Sequence, residues 1–355
     1  MASFYNLKVK EVRKETADTV SVAFDITDDI KDQFSYEAGQ YVTLKTTVNG
    51  EELRRSYSLC SSPTADSDFR IAVKKVDNGR VSGFINDSLK ANDVIEVMPP
   101  AGNFKTDLNS TKNLVAFAAG SGITPIISIL KTALKANSQN TFNLFYSNKT
   151  TNATIFNNEL IDLANSYEGR FTFNNILTQE NGINALLSGR IDKIKAESLL
   201  STIDTNDNTE YFICGPEEMI MSISDLLKTK GVDTSRIHYE LFTTPVKSAE
   251  NNAPIATGDF TGVAKVKVIM DDEETEFELA TDGDNILDAS MDEGVDAPFS
   301  CKGAVCCTCK AKVVEGSAVM EMNYALSDEE VEEGYILTCQ AHPTSSSITV
   351  DFDVV

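Results

Sequence analysis

The sequence predicts a multidomain protein with three modules in a row: an antiparallel β-barrel, an α/β domain with a parallel sheet, and a small α+β domain. Three observations indicate this order. Short alternating strands fill residues 1–106, apolar strands alternate with helical segments in residues 107–242, and five of the seven cysteines lie in residues 260–355. A length of 355 residues suits two or three domains.

The first module is predicted from short apolar runs that alternate with polar residues. Turn residues such as Asp77-Asn78-Gly79 separate these runs. Because a period of two places successive side chains on opposite faces of a strand, the pattern favours a small antiparallel barrel. The expected strands are Tyr5–Val9, Val20–Phe24, Tyr41–Leu44, Tyr57–Leu59, Phe69–Val76 and Val94–Val97.

The second module is predicted from a change of period near Asn113. Strand-like runs now alternate with apolar residues at helical spacing, which is typical of a parallel sheet flanked by helices. The expected strands are Leu114–Ala118, Phe142–Tyr146, Phe171–Leu177 and Tyr211–Cys214. Residues 243–259, rich in Thr, Pro, Asn, Ser and Ala, have no periodicity and are expected to form a linker.

The third module is strongly acidic. Residues 261–355 hold 21 acidic and 5 basic side chains, so they contribute −16 to the net charge of −23. This charge would repel nucleic acid and steer the module onto a basic partner, although solubility alone is an alternative reason for it. There is no apolar run of membrane-spanning length and no recognisable signal peptide. We therefore expect a cytoplasmic protein that binds neither nucleic acid nor membrane.

Four cysteines give the most specific pattern in the chain. Cys301, Cys306 and Cys309 stand as C-x4-C-x2-C, and Cys339 follows after 29 intervening residues. This is the plant-type [2Fe–2S] spacing. The two histidines lack the paired Cys/His spacing of a Rieske centre. The alternatives are a zinc site, which usually needs two C-x2-C pairs, and buried or disulfide-bonded cysteines.

Two strand-to-helix turns are candidate sites for a dinucleotide. In Gly120-Ser121-Gly122-Ile123-Thr124-Pro125, we expect Thr124 to be the N-cap, and the helix N-terminus would offer N–H groups to a pyrophosphate. Alone, this Gly-x-Gly turn is a weak signal, and a structural turn is the alternative. In Cys214-Gly215-Pro216, the following Glu217 and Glu218 would repel phosphate. We expect that turn to face an uncharged group such as nicotinamide.

The end of the second parallel strand is expected to contact the adenosine ribose. Its residues Ser147, Asn148 and Lys149 offer hydroxyl, amide and ammonium groups, with no carboxylate. Such groups favour a 2′-phosphate, so NADPH is the predicted coenzyme and NADH is the alternative.

An R-x-Y-S motif on a predicted barrel strand favours a flavin. Alternation places Arg55 and Tyr57 on one face and Ser56 and Ser58 on the other. Arg55 would neutralise a pyrophosphate, Tyr57 would cover a ring or ribityl chain, and Ser58 would hydrogen-bond a flavin nitrogen. The expected phosphate-binding residues at the start of a short helix are Gly79, Val81 and Ser82.

Together these motifs resemble the ferredoxin–NADP reductase superfamily, in the form with a C-terminal plant-type ferredoxin, over essentially the whole chain. The resemblance implies an FAD-binding barrel (1–106), an NAD(P)-binding domain (107–242), a linker (243–259) and a β-grasp-like ferredoxin domain (260–355). It also implies that Cys214 lies near the nicotinamide C4. The residues thus expected to be catalytic are Ser58, Cys214 and Glu240, and Phe242 belongs to a segment that approaches the far face of the flavin.

A narrower likeness is carried by Met322–Leu326, Gly334–Pro343 and Val350–Asp353. These segments are similar to the reductase subunits of bacterial phenylacetyl-CoA epoxidases, which pass electrons to a di-iron oxygenase. Two departures from the family stand out. Cys307 is expected to be a spare thiol, because the cluster spacing is complete without it. Lys149 stands where the family often has arginine, which keeps the charge but weakens a bidentate contact.

The implied activity is electron transfer from NADPH through FAD and the [2Fe–2S] cluster to an oxygenase that docks at the acidic ferredoxin domain. A flavin is needed because a hydride carries two electrons and the cluster accepts one. The linker would let the ferredoxin domain swing between flavin and partner. The alternatives are a reductase for another oxygenase, a redox-sensing binding protein, and a dehydrogenase with an organic substrate of its own.

Overall fold

A computed structural model describes residues 4–110, 112–180, 184–242 and 260–354. The chain divides into two compact units. The N-terminal unit spans Tyr5–Phe242, and the C-terminal unit contains residues 260–354. The expected linker, 243–259, lies outside the described residues. The swing of the ferredoxin domain on this linker therefore stays a prediction.

The first half of the N-terminal unit is an antiparallel sheet in the order β4-β3-β6-β1-β2-β5. A bridge between Leu59 and Ile71 joins the two edges, so the sheet curls into the expected barrel. Its interior is filled by Val, Leu, Ile and Phe from alternate positions, such as Val9, Val22 and Leu44, each fully buried. The elements are β1 (Tyr5–Thr16), β2 (Thr19–Asp25), β3 (Tyr41–Val48), β4 (Glu51–Ser58), β5 (Phe69–Lys74), α1 (Arg80–Asp87) and β6 (Val94–Val97).

The second half is a five-stranded parallel sheet in the order β11-β10-β7-β8-β9, with helices packed against it. β10 is buried along its whole length and β7 along most of its length, because helices cover both faces of a parallel sheet. The elements are β7 (Asn113–Ala119), α2 (Ile123–Ala136), β8 (Thr141–Asn148), α3 (Asn157–Ser166), β9 (Phe171–Leu177), α4 (Lys193–Leu200), β10 (Thr209–Cys214), α5 (Glu217–Thr229) and β11 (Ile237–Glu240).

A buried charge cluster closes the amino end of this parallel sheet. Glu210 of β10 accepts hydrogen bonds from Lys112 Nζ and His238 Nε2, both at 2.6 Å. Burial alone would raise the Glu210 pKa, but these two partners outweigh it and lower the pKa to about 2. The cluster therefore stabilises the amino end of the sheet, whereas β10 and β11 finish at its carboxyl end.

The C-terminal unit is built on a mixed five-stranded sheet in the order β13-β12-β18-β14-β16, beside a small two-stranded sheet of β15 and β17. Helix α7 begins with a capping box in which Ser327 and Glu330 satisfy each other's backbone N–H groups. The elements are β12 (Val263–Met270), β13 (Glu273–Ala280), α6 (Ile286–Asp292), β14 (Lys310–Glu315), β15 (Ala318–Met320), α7 (Asp328–Glu332), β16 (Tyr335–Leu337), β17 (Ala341–Pro343) and β18 (Ser347–Asp351).

Candidate active site and metal centre

Three predicted catalytic residues meet where the barrel and the parallel sheet adjoin. Ser58 is the last residue of β4, and Cys214 and Glu240 are register partners at the carboxyl ends of β10 and β11. The Ser58 hydroxyl donates a hydrogen bond of 3.2 Å to Glu240 Oε2, although 182 positions separate the two residues in the chain. The fold therefore brings a hydroxyl, a thiol and a carboxyl group together from three strand ends.

The site holds its titratable groups in their neutral forms. Glu240 is half-buried at the end of β11, and desolvation by the surrounding protein raises its pKa to about 8. Burial also raises the pKa of the Cys214 thiol, and the neighbouring Glu240 carboxylate adds to the shift. At neutral pH both groups are mostly protonated, so this part of the site suits an uncharged ring.

The two strand-to-helix turns touch each other through their backbones. A Cβ atom on Gly122 would lie 2.1 Å from the Cys214 carbonyl oxygen. A Cβ atom on Gly215 would lie 2.9 Å from the Ala119 Cβ atom. Gly120 has a φ of +54°, which favours glycine. These glycines are therefore required by close approach and backbone conformation, whether or not a ligand is bound.

The start of α2 differs from the prediction. Thr124 is not the N-cap: the helix begins at Ile123, and the Thr124 hydroxyl donates to the Ser121 carbonyl oxygen at 3.0 Å. Gly122 precedes the helix with a helical φ of −60°, because it ends a 3₁₀ turn over Gly120–Gly122. No side chain caps this N-terminus, and its first turn has no acidic residue. Its first turn therefore does not repel an anion, but the Ile123 N–H is taken by the Gly120 and Ser121 carbonyl oxygens, and Pro125, inside the first turn, has no N–H.

The end of β8 offers a different set of groups. Ser147 and Asn148 are buried, whereas Lys149 is exposed and forms no ion pair with any described residue. Within the described part of the chain, neither the nitrogen nor the oxygen of the Asn148 side chain has a hydrogen-bond partner. Buried polar atoms are normally satisfied, so this amide fits a site that a ligand or water completes. On the neighbouring loop, Glu180 accepts hydrogen bonds from the Thr151 N–H and hydroxyl, each at 2.9 Å.

The R-x-Y-S strand and α1 form the barrel side of the site. Arg55 is exposed and Tyr57 is half-buried, while the Ser56 hydroxyl hydrogen-bonds the Thr43 hydroxyl at 3.0 Å. These three side chains, with an exposed guanidinium beside a half-buried ring, fit a large cofactor that carries phosphate.

The amino end of α1 offers backbone groups to a cofactor. Gly79 precedes the helix without a side-chain cap, and a Cβ atom there would lie 2.3 Å from the Val76 Cγ2 atom. The Ser82 hydroxyl is occupied, since it accepts from the Val76 N–H and donates to the Gly79 carbonyl. Val81 is buried. The Gly79 N–H donates to the Val76 carbonyl oxygen at 3.0 Å. The groups that face a phosphate are thus the backbone N–H groups of the first turn of α1, rather than side chains. Phe242, at the end of this unit, is 40% exposed.

The four predicted cysteine ligands form two pairs. The Cys301 and Cys306 sulfurs lie 3.1 Å apart, and the Cys309 and Cys339 thiols hydrogen-bond each other. No three of the His, Cys, Asp and Glu side chains in the described ranges converge as the ligands of a single ion would. Two-by-two pairing fits a cluster with two irons, each held by two thiolates.

The loop around these cysteines is shaped to hold thiolates. Lys302 and Ala304 have φ values of 49° and 64°, and the Gly303 N–H donates to the Cys301 sulfur at 3.3 Å. The hydrogen bond from the Cys306 thiol, helped by backbone N–H groups, lowers the pKa of Cys301 to about 6. The same hydrogen bond, with burial, raises the pKa of Cys306 well above its usual value, so the loop favours one thiolate within the Cys301–Cys306 pair.

Sequence reasoning missed one group of residues between the barrel and α2. Ser61, Ser62 and Asp66 of the loop after β4 contact Ser128, Lys131 and Thr132 of α2. The available signal was weak. These three α2 residues recur at helical spacing in an otherwise apolar helix.

Three domain models match the chain in the expected order. They are an oxidoreductase FAD-binding domain over residues 6–106, an oxidoreductase NAD-binding domain over 117–225, and a 2Fe-2S iron-sulfur cluster binding domain over 268–344. One of the subunits of 1,2-phenylacetyl-CoA epoxidase from Escherichia coli strain K12 is 37% identical over 99% of this chain and 99% of its own. The chain belongs to the ferredoxin reductase family.

Other members of this family have the same extent. The ferredoxin reductase component of 3-ketosteroid-9-alpha-monooxygenase from Rhodococcus rhodochrous is 33% identical, covering 98% of this chain and 96% of its own. The structure of phthalate dioxygenase reductase, described as modular for electron transfer from pyridine nucleotides to [2Fe-2S], has 25% identity and a TM-score of 0.59, covering 99% and 98%. This chain is therefore an oxidoreductase that uses FAD, a [2Fe–2S] cluster and a pyridine nucleotide.

These comparisons confirm the predicted fold class and family. They also confirm FAD, a [2Fe–2S] cluster and a pyridine nucleotide as cofactors, and they favour the cluster over zinc or disulfides. They also make the chain an oxygenase reductase component. The domain boundaries and the roles of single site residues remain predictions. Within the described part of the chain, every helix is too short or too polar to cross a membrane.

Proposed function

We propose that this protein is the reductase component of a phenylacetyl-CoA epoxidase, taking electrons from NADPH and delivering them to a di-iron oxygenase. The full-length likeness to the Escherichia coli epoxidase component supports the assignment. The observation that carries the redox role is the meeting of Ser58, Cys214 and Glu240 between barrel and parallel sheet. When bound, FAD would supply conversion between the two-electron chemistry of nicotinamide and the one-electron chemistry of the cluster.

The residues of the site would position and desolvate the reacting rings. Ser58 would offer its hydroxyl to a flavin nitrogen, in place of or in addition to its bond with Glu240. Cys214, buried and neutral, would line the nicotinamide C4. Glu240 would hold a proton beside Ser58 at neutral pH, since its pKa is about 8. Together they would exclude water without placing a net charge against either ring.

Phosphate groups would be bound by helix N-termini and by two exposed cations. Arg55 and the N-terminus of α1 would hold the FAD pyrophosphate, and the N-terminus of α2 would hold that of the coenzyme. Lys149, with Ser147 and Asn148, would hold the 2′-phosphate of NADPH. The nearby Glu180 carboxylate accepts two hydrogen bonds from Thr151 but keeps its negative charge, so Lys149 would have to outweigh it at that edge.

The cluster would be held by Cys301 with Cys306 and by Cys309 with Cys339. The acidic C-terminal unit would dock on a basic surface of the oxygenase, since opposite charges accelerate encounter and orient the partners.

Anaerobic mixing with NADPH, and separately with NADH, tests the redox role and the coenzyme. We expect NADPH to bleach flavin and cluster absorbance in succession, and NADH to act much more slowly. Flavin bleaching without cluster bleaching in an iron-replete sample would contradict internal electron transfer. Equal rates with both coenzymes would remove the role proposed for Lys149.

Reconstitution tests the partner. We expect this reductase to support phenylacetyl-CoA epoxidation with the purified oxygenase of that system, with product matching NADPH consumed. The 33% likeness to a 3-ketosteroid-9-alpha-monooxygenase component favours, as a second candidate, a reductase for a different oxygenase. Rapid reduction of artificial acceptors with no coupled epoxidation would favour that candidate.

A further inference from the structure

A polar seam joins the barrel to α2 inside the N-terminal unit. We define the domain seam as Ser61, Ser62 and Asp66 on the barrel side and Ser128, Lys131 and Thr132 on α2. Its contacts are short. Ser128 Oγ donates to the Ser61 carbonyl oxygen at 2.6 Å, the Ser62 and Thr132 hydroxyls lie 2.8 Å apart, and Lys131 Nζ lies 2.6 Å from Asp66 Oδ2.

The seam contacts are directional and largely dry. Ser61, Ser62, Ser128 and Thr132 are each at most 8% exposed. The Thr132 hydroxyl donates to the Ser128 carbonyl at 2.7 Å, so Ser62 must donate to Thr132. With both partners buried, a shift of the two domains would leave polar groups unsatisfied. The seam therefore specifies one relative position of barrel and helix.

On the barrel side, a short and well-fixed segment connects the seam to the active site. Ser58 is three residues from Ser61, and the intervening Leu59 and Cys60 are buried. Their backbone N–H groups are fixed to the Gln40 and Arg70 carbonyls at 2.9 and 2.8 Å. Ser62 N–H also donates to Asp66 Oδ2 at 2.7 Å, which ties the loop to the carboxylate that Lys131 contacts. A displacement at the seam would therefore be transmitted to Ser58.

On the other side, α2 connects the seam to the coenzyme turn. Lys131 is eight positions after Ile123, roughly 12 Å at the rise of about 1.5 Å per residue. Just before Ile123, Gly122 abuts the Cys214 backbone. One helix thus connects the seam to the turn that touches Cys214, the register partner of Glu240.

We infer that the domain seam, through Lys131, sets the position of Ser58 relative to Cys214 and Glu240 and so controls the rate of hydride transfer to the flavin. Lys131 is 10% exposed and bridges the domains: Asp66 is on the barrel side and Glu159 of α3, at 3.0 Å, is on the nucleotide side. It is a positioning residue, since it contacts neither turn. Hydride transfer is sensitive to small misplacements, and about 1 Å can cost roughly a hundredfold in rate.

The test compares holoenzyme variants by stopped-flow reduction at saturating NADPH. Lys131→Met should slow flavin reduction at least about tenfold, change the Kd for NADP⁺ less than about twofold, and weaken the transient nicotinamide–flavin charge-transfer absorbance. Lys131→Arg should restore most of the rate. Lys112→Met is the matched control. It breaks a similarly buried ion pair with Glu210 at the amino end of the parallel sheet, away from Cys214 and Glu240.

The control should lose thermal stability but keep its rate of flavin reduction. Equal slowing in Lys112→Met and Lys131→Met, or an unchanged rate in a folded, FAD-replete Lys131→Met protein, would overturn the inference. The inference rests on the proposed role of Ser58. If Ser58→Ala leaves flavin reduction unchanged, that role fails. If Ser58→Ala slows it and Lys131→Met does not, only the seam inference fails.

Discussion

Two adjacent cysteines on the cluster loop have different expected roles. Cys306 pairs with Cys301, whereas Cys307 lies outside the C-x4-C-x2-C spacing. Their positions differ by one residue, so their serine variants form a matched set.

Cys307→Ser should keep the cluster, because the two pairs remain complete. Cys306→Ser should lose most of it, because one iron would retain a single thiolate. Iron content and the EPR signal of the dithionite-reduced protein measure the difference. Loss of the cluster in Cys307→Ser would make that residue a ligand and the assigned spacing wrong.

Glu240 gives a second prediction, concerning stability and pH. Its folded-state pKa is about 8 and its ordinary value is 4.5, so the folded protein holds this proton more tightly than the unfolded chain does. The resulting stabilisation is complete below pH 4.5 and is lost as the pH rises towards 8. Relative to Glu240→Gln, the wild type should therefore lose several degrees of melting temperature between pH 6 and pH 9. A gap that stays constant with pH would contradict the raised pKa.

At the scale of elements, the contact between the turns around Gly122 and Gly215 is a single structural feature. Gly122→Ala would place a Cβ atom 2.1 Å from a backbone oxygen, so one turn must move. We expect a loss of about 1–3 kcal/mol in the free energy of unfolding and slower flavin reduction. Gly231→Ala is the control: its φ is +80° but nothing lies near its added methyl. That variant should lose a similar stability, about 1–2 kcal/mol, and keep its rate.

The elements themselves were largely predictable from the sequence. Period-two runs indicated the barrel strands, and apolar runs indicated β7 to β10, because burial on one or two faces leaves a local pattern. The N-cap at Thr124 was wrong, because a 3₁₀ turn over Gly120–Gly122 leads directly into α2 at Ile123. The hydrogen bond between Ser58 and Glu240 was not predicted. Hydrogen bonds across 182 positions leave no local periodicity.

At the scale of the whole molecule, the order of modules was predictable because each has its own pattern. The seam was not, since its polar residues are ordinary until two domains are brought together. The uneven distribution of charge was also evident from the sequence, with 21 acidic and 5 basic residues after position 260. This asymmetry predicts how salt affects electron delivery.

Raising the ionic strength should change two acceptor reactions in opposite directions. The Debye screening length falls from about 30 Å at an ionic strength of 0.01 M to about 3 Å at 1 M. Reduction of the oxygenase should slow, because attraction to a basic surface is screened, whereas reduction of anionic ferricyanide should accelerate. Flavin reduction at saturating NADPH, measured in parallel, separates these effects from earlier steps. Both acceptors slowing together would contradict docking through the acidic unit.

The seam also has a consequence for building chimeric reductases. A crossover placed at the predicted domain boundary, between residues 106 and 107, would take the loop containing Asp66 from one parent and Lys131 from the other. Flavin and coenzyme domains from different relatives would then each fold yet meet in the wrong alignment. Productive recombination must therefore inherit the 61–66 loop and the middle of α2 as a linked set, which makes them a unit of exchange that the domain boundary cuts in two.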